Sequence, residues 1–187
     1  MNPGQWLEGC DTDDPDRIRL MHHDARWRQE FEQTRSSILQ SCEGRVVAVE
    51  HIGSTAIGGL IARPIVDAVA VVADPVDLSD SAMLVEGLNF REVQRPEWTL
   101  SLIGNTSVYL LEKPRHGETT HRVYVIGQGS RLLDQAIRLR EHFRSSPEAA
   151  IDFEAEKVTI WKQSDGEPVR YHAAMDEEFQ RRLSQLS

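Results

Sequence analysis

An α+β domain, with a mixed β-sheet flanked by helices and a helical C-terminal tail, is the fold class this sequence predicts, on three observations. Apolar residues change period along the chain, from helical spacing to strand-like runs and back to helical spacing. The run 65–72 is apolar on both faces apart from Asp67, as suits a strand central in a sheet. Pro147 and Pro168 stand where first-turn prolines open helices.

Taken in order, Trp27, Phe31, Ile38 and Leu39 recur at helical spacing over residues 24 to about 42, with Asp24 placed to cap the start. A short apolar strand at 46–49 breaks at His51-Ile52-Gly53-Ser54-Thr55. There a glycine followed by two hydroxyl residues suits a strand-to-helix turn. The strand at 65–72 follows, then a short helix at 79–88 and strand-like stretches at 90–93, 99–111 and 120–126. Helices at 130–144, 147–162 and 168–186 complete the chain. Residues 1–16 read as a flexible arm that Trp6 and Leu7 can pin to the surface.

The 187 residues suit one domain, 1–187, with no internal repeat or low-complexity linker. Hydrophobic residues at 40% and charged residues at 27% are near the globular average. A net charge of −9 argues against an extended nucleic-acid surface, because phosphate neutralisation needs clustered Lys and Arg. It leaves room for a local pocket that takes one nucleotide. Cys10 and Cys42 lack metal-ligand spacing and read as two thiols rather than a disulfide. No apolar run approaches the roughly 18 residues that span a bilayer, and the acidic N-terminus has no apolar signal core. The expectation is a cytoplasmic protein with no membrane partner.

Chemistry concentrates between His51 and Asp67. Backbone N–H groups at Gly53, Ser54 and Thr55, at a helix opening, would form an anion site, with the two hydroxyls as added donors; simple capping explains the same residues. Asp67 places a carboxylate in an apolar strand, which is costly unless it meets a metal, a cation or backbone donors. Arg63, just before that strand, can pair with phosphate or with Asp67. Arg140 and Arg144, four apart, share a helix face that either meets an anion or is solvated. The stripe of Trp161, Tyr171 and Phe179 reads as helix core.

Together these residues resemble the signature of the GrpB family: His51-Ile52-Gly53-Ser54-Thr55-Ala56, then Gly59-Leu60, then a basic residue, Pro64, Ile65 and Asp67. The resemblance runs over most of the chain, through Ile18, Leu20, His121, the 139–144 segment before Pro147, and Lys157. Similar domains occur fused to dephospho-CoA kinases. The resemblance implies a nucleotidyltransferase fold, in which a Gly-Ser turn holds a triphosphate and strand carboxylates hold Mg²⁺ or Mn²⁺. It implies Asp67 and His121 as catalytic residues. Phosphate contacts would come from Gly53, Ser54, Thr55, Arg63 and Arg140.

Val69 stands where a second carboxylate usually alternates with the first, so Glu50, His51 or His121 would have to complete the metal set with Asp67. Neighbours Glu50 and His51 point to opposite strand faces. Gly58, Arg63 and Val123 replace the family's usual proline, lysine and second histidine. The implied activity is metal-dependent transfer from ATP or another nucleoside triphosphate to an unknown small-molecule acceptor. The alternatives are a non-catalytic nucleotide- or anion-binding module and an ATP-dependent ligase.

Overall fold

A computed structural model describes residues 6–8, 14, 16–94 and 107–186. Its first helix, α1 (Arg26–Ser41), buries Trp27, Phe31, Thr34 and Ile38, the spacing of one helical face. The Asp24 carboxylate accepts the Arg26 amide at 2.9 Å and so closes the helix start. The strands are β1 (Val46–Ile52), β2 (Val66–Val72), β3 (Arg91–Glu92), β4 (Val108–Lys113) and β5 (His121–Gly127). They form one five-stranded sheet in the order β1-β2-β5-β4-β3. Among the described strands only the β2–β5 pair is parallel, so the sheet is mixed. β2 has a neighbour on each side, as its two apolar faces require.

Helix α2 (Leu78–Glu86) joins α1 on one face of the sheet; α3 (Arg131–Ser145) covers the other. Period-two alternation along β2 divides the two. Val66, Ala68, Ala70 and Val72 pack with Trp27, Phe31 and Val85, while Val69 and Val71 pack with Tyr124 and Leu132. A further core of Phe143, Phe153, Trp161, Tyr171 and Met175 joins α3 to α4 (Pro147–Gln163) and α5 (Pro168–Gln185). Ser146 and Glu167 cap these last two helices, each directly ahead of a first-turn proline. No described helix is long and apolar enough to cross a membrane.

Trp6 and Leu7 do pin the start of the chain. Trp6 bridges to Met21, Leu7 donates its amide to Leu20 at 2.9 Å, and the Arg19 guanidinium sits 4.1 Å over the Trp6 ring. The strand expected at 90–93 shrinks to the pair Arg91–Glu92, and β4 extends to Lys113. Residues 99–106 of the expected 99–111 strand lie outside the described residues, as does Cys10; Cys42 is a buried thiol.

The largest departure concerns the turn after β1. The helix expected to open at Gly53 is a single 3-10 turn, Ser54–Ala56, followed by extended Ile57. Gly58 and Gly59 are poor helix formers, and leaving the helix lets Ile57, Leu60 and Ile61 bury against α4 and α5. So short a turn carries little dipole, so no helix terminus presents an anion site at Gly53.

Candidate functional site

The turn 53–55 opens on a cavity of about 200 Å³ between the end of β1–β2 and helices α3–α5. Gly53 has φ +72° and ψ −173°, a region open essentially to glycine alone. It is also where the turn meets Asp67: a Cβ at position 53 would stand 3.0 Å from Asp67 Oδ2. The signature's glycine and aspartate are thus one packing unit.

Three basic side chains from the C-terminal helices hold the carbonyls on either side of this turn. Arg140 donates to His51 O at 2.8 Å, Arg144 to Ala56 O at 2.8 and 3.1 Å, and Lys157 to Ile61 O at 2.9 Å. The shared face of Arg140 and Arg144 therefore meets the turn's backbone. Lys157 also donates to Ser54 Oγ, which places Ser54 beside a buried ammonium. Burial pulls the Lys157 amine down to about 7. Thr55 is turned inward. Its hydroxyl donates to Ile65 O at 3.1 Å and accepts from His51 Nε2 at 3.1 Å, while the imidazole stacks on Phe31. The Thr55 hydroxyl is committed to the fold.

Asp67 lies on the cavity face of β2. Its partners across the sheet form a row of alternating charge: Asp67 beside Arg122, Arg122 beside Glu112, Glu112 beside Arg91. Arg122 belongs mainly to Glu112, at 2.8 Å, and stands 3.8 Å from Asp67 Oδ1. That oxygen is buried without a hydrogen-bond partner. Burial, opposed by Arg122 and Arg63, pushes the Asp67 carboxyl above its ordinary value. The side chain is 25% exposed, and that exposure is to the cavity it lines.

Arg63 enters the same cavity and donates to His172 Nε2 at 2.9 Å. No described carboxylate forms an ion pair with it; Asp67 and Glu112 act on its charge only from a distance. The remaining wall is apolar, from Leu139, Phe143, Phe153 and Met175.

The structure brings Gly53, Ser54, Arg63, Asp67 and Arg140 to one cavity, with Thr55 behind them. It does not bring His121 there. His121 pairs in register with Val66, and Arg122 with Asp67, so the histidine projects from the opposite face of the sheet. Glu50 shares the face of Asp67, yet its carboxylate is taken by Arg140 at 2.8 Å.

The donor set for Mg²⁺ or Mn²⁺ is accordingly thin. The unpartnered Asp67 oxygen suits a cation, but Glu50 is paired, His121 faces away, and Arg122 stands close by. Among the described residues no three His, Cys, Asp or Glu side chains converge. These residues do not fit a divalent ion held by the protein alone.

A family model described as GrpB protein matches residues 17–185. The chain belongs to the GrpB family. A UPF0157 protein of Streptomyces coelicolor is 33% identical over 148 residues, 78% of this chain and 72% of the relative. A UPF0157 protein of Halalkalibacterium halodurans is 26% identical over 69% of this chain and 62% of its own length. The UPF0157 protein YqkA of Bacillus subtilis is 21% identical over 86% of this chain and 45% of its own, so the chain spans under two thirds of these last two. The crystal structure of conserved protein GrpB from Enterococcus faecalis covers 89% of this chain and 97% of that one, with a TM-score of 0.73. At 18% identity, that GrpB likeness is one of fold alone.

Sequence reasoning missed Arg122 and Glu112 as parts of the site and did not connect Lys157 to Ser54. Strand alternation puts Arg122 opposite His121, but only the parallel β2–β5 register places Arg122, not His121, beside Asp67.

Proposed function

We propose that this GrpB-family protein binds an anionic small molecule through its cavity, the phosphate end of a nucleotide being the ligand class that also agrees with the family resemblance. One observation carries the reading: Arg63 lines the cavity half-buried, and no described carboxylate forms an ion pair with it. A guanidinium half-buried in a cavity without an ion pair is only partly solvated, and an entering phosphate or carboxylate would meet it through charge-assisted hydrogen bonds. The volume, about 200 Å³, suits one anionic group with a small apolar extension better than a fully enclosed nucleoside triphosphate.

Metal-dependent nucleotidyl transfer to a small acceptor is the finer form of this reading. In it Asp67 is the carboxylate that would meet a divalent ion carried by the phosphates. Binding without catalysis is the second reading, favoured by the pairing of Glu50 with Arg140.

Isothermal titration with a non-hydrolysable ATP analogue and with inorganic phosphate, each with and without Mg²⁺, tests both. Anion binding is expected to weaken about 10-fold or more in Arg63→Met. Mg²⁺-dependent binding lost in Asp67→Ala supports the transferase form; metal-independent binding that survives Asp67→Ala supports the binding module. No binding of either probe removes the anion claim.

A further inference from the structure

We infer that Ser54 and Lys157 form a nucleophile–base pair, and that the cavity performs acyl transfer from a small ester carrying an anionic group. Lys157 stands in the buried stripe of α4 with Phe153, Ile160 and Trp161, positions that a helix packed on α3 and α5 fills with apolar side chains. It is 2% exposed. Its contacts are the Ser54 hydroxyl, the Ile61 carbonyl and the face of Phe153, 4.8 Å from the ring centroid. No described carboxylate forms an ion pair with it; Glu154, one turn earlier, spends its carboxylate on the Ile61 amide at 2.7 Å.

A lysine in such surroundings holds its proton weakly, and its amine titrates near neutral pH, at about 7. Once neutral, the hydrogen bond reverses: the Ser54 O–H donates to the Nζ lone pair. That is the arrangement by which a lysine activates a serine. Ser54 is half-buried and lines the cavity, so the oxygen is reachable. Arg140, Arg144 and Lys157 hold the carbonyls on either side of it, which fixes the geometry that proton transfer needs.

In the reaction, Ser54 Oγ bonds to the acyl carbon as its proton passes to Lys157 Nζ. The carbon–oxygen bond to the leaving alcohol then breaks, and that oxygen takes the proton from Lys157. Water, deprotonated by the same amine, adds to the acyl-serine and releases a carboxylic acid, with the proton returned to Ser54. The apolar wall of Leu139, Phe143 and Met175 suits the acyl chain. Arg63 suits the anionic end, and for this point alone the inference rests on the anion-binding reading. The charged and titratable groups that line the cavity with Lys157 are Arg63, Asp67, Arg122, Tyr124, Arg140, Tyr171 and His172, with Glu154 on its own helix.

The test is labelling of the full chain with an alkyl fluorophosphonate, which phosphonylates an activated serine and expels fluoride, read by intact and peptide mass. The expected result is a single adduct on Ser54, absent from Ser54→Ala, forming faster as pH rises with a half-maximum near 7. Lys157→Arg keeps the charge but supplies no base, and its labelling is expected to fall about 100-fold. Circular dichroism identifies a variant that has not folded, and the wild-type pH profile then decides alone. No adduct on Ser54, equal labelling in folded Lys157→Arg, or a rate flat through neutral pH each overturns the pair. Because the probe carries no anionic group, its failure is separable from a failure to bind phosphate.

Discussion

Asp67 shows how one residue trades stability for a site. Its carboxyl sits above the ordinary range because burial outweighs the pull of Arg122 and Arg63. A carboxyl raised on folding is favourable while protonated, and that contribution is lost as pH climbs through the folded value. Ionising Asp67, which has one oxygen unpartnered, is therefore a cost to the fold that grows as pH rises. Asp67→Asn is expected to raise the melting temperature at pH 7.5 by about 2–4 °C, roughly 1 kcal/mol, with the gain shrinking toward pH 4. Thermal unfolding at the two pH values checks it. A lower melting temperature at pH 7.5 would mean that Arg122 compensates the charge fully.

At the scale of the element, the turn 53–61 is shaped less by its own propensities than by what grips it. Arg144 of α3 and Lys157 of α4 hold its carbonyls, Arg140 of α3 holds the His51 carbonyl just before it, and the His51–Thr55–Ile65 hydrogen bonds hold its interior. Gly53 allows the chain to enter this arrangement. In Gly53→Ala the new methyl meets Asp67 Oδ2 at 3.0 Å, and the backbone is one that alanine rarely adopts. The expected cost is about 1–3 kcal/mol, measured by urea unfolding, together with loss of any Ser54 adduct. A neutral substitution would show that the turn relaxes without consequence. Thr55→Val, which keeps shape but strands the His51 donor, is expected to cost roughly 1–2 kcal/mol in the same assay.

Across the whole molecule, one buried histidine, His51, and two half-buried ones, His121 and His172, act in the same direction on acidification. His51 and His121 are each held down to about 4, and His172 to about 3, chiefly by burial. Unfolded histidines take up protons near 6.5 while the folded ones do not, so the unfolded state binds more protons below that pH. Stability is then complete above about pH 6.5 and falls as pH drops toward 4. Melting temperatures at pH 7.5, 6.0 and 5.0 are expected to decrease in that order. A flat series would show these imidazoles to be as solvated in the fold as out of it.

Local chemistry already specified much of this. The apolar stripe of α1, the two-faced strand around Asp67 and the first-turn prolines of α4 and α5 are short-range signals, and each produced its element. The 51–67 segment, which carries the likeness to the GrpB signature, is the stretch that reaches the cavity through Gly53, Ser54, Arg63 and Asp67. Whether Gly53 would open a long helix was a contest between local hydroxyl capping and the burial of Ile57, Leu60 and Ile61, which come to α4 and α5 only in the folded chain. The site's membership depended likewise on long-range register. One-residue alternation sends His121 and Arg122 to opposite faces, and only the pairing of β2 with β5 determines which of them joins Asp67. The partnerships of Lys157 with Ser54 and of Arg140 with Glu50 span 103 and 90 residues of chain. No periodicity carries such contacts, because they arise where separate elements pack.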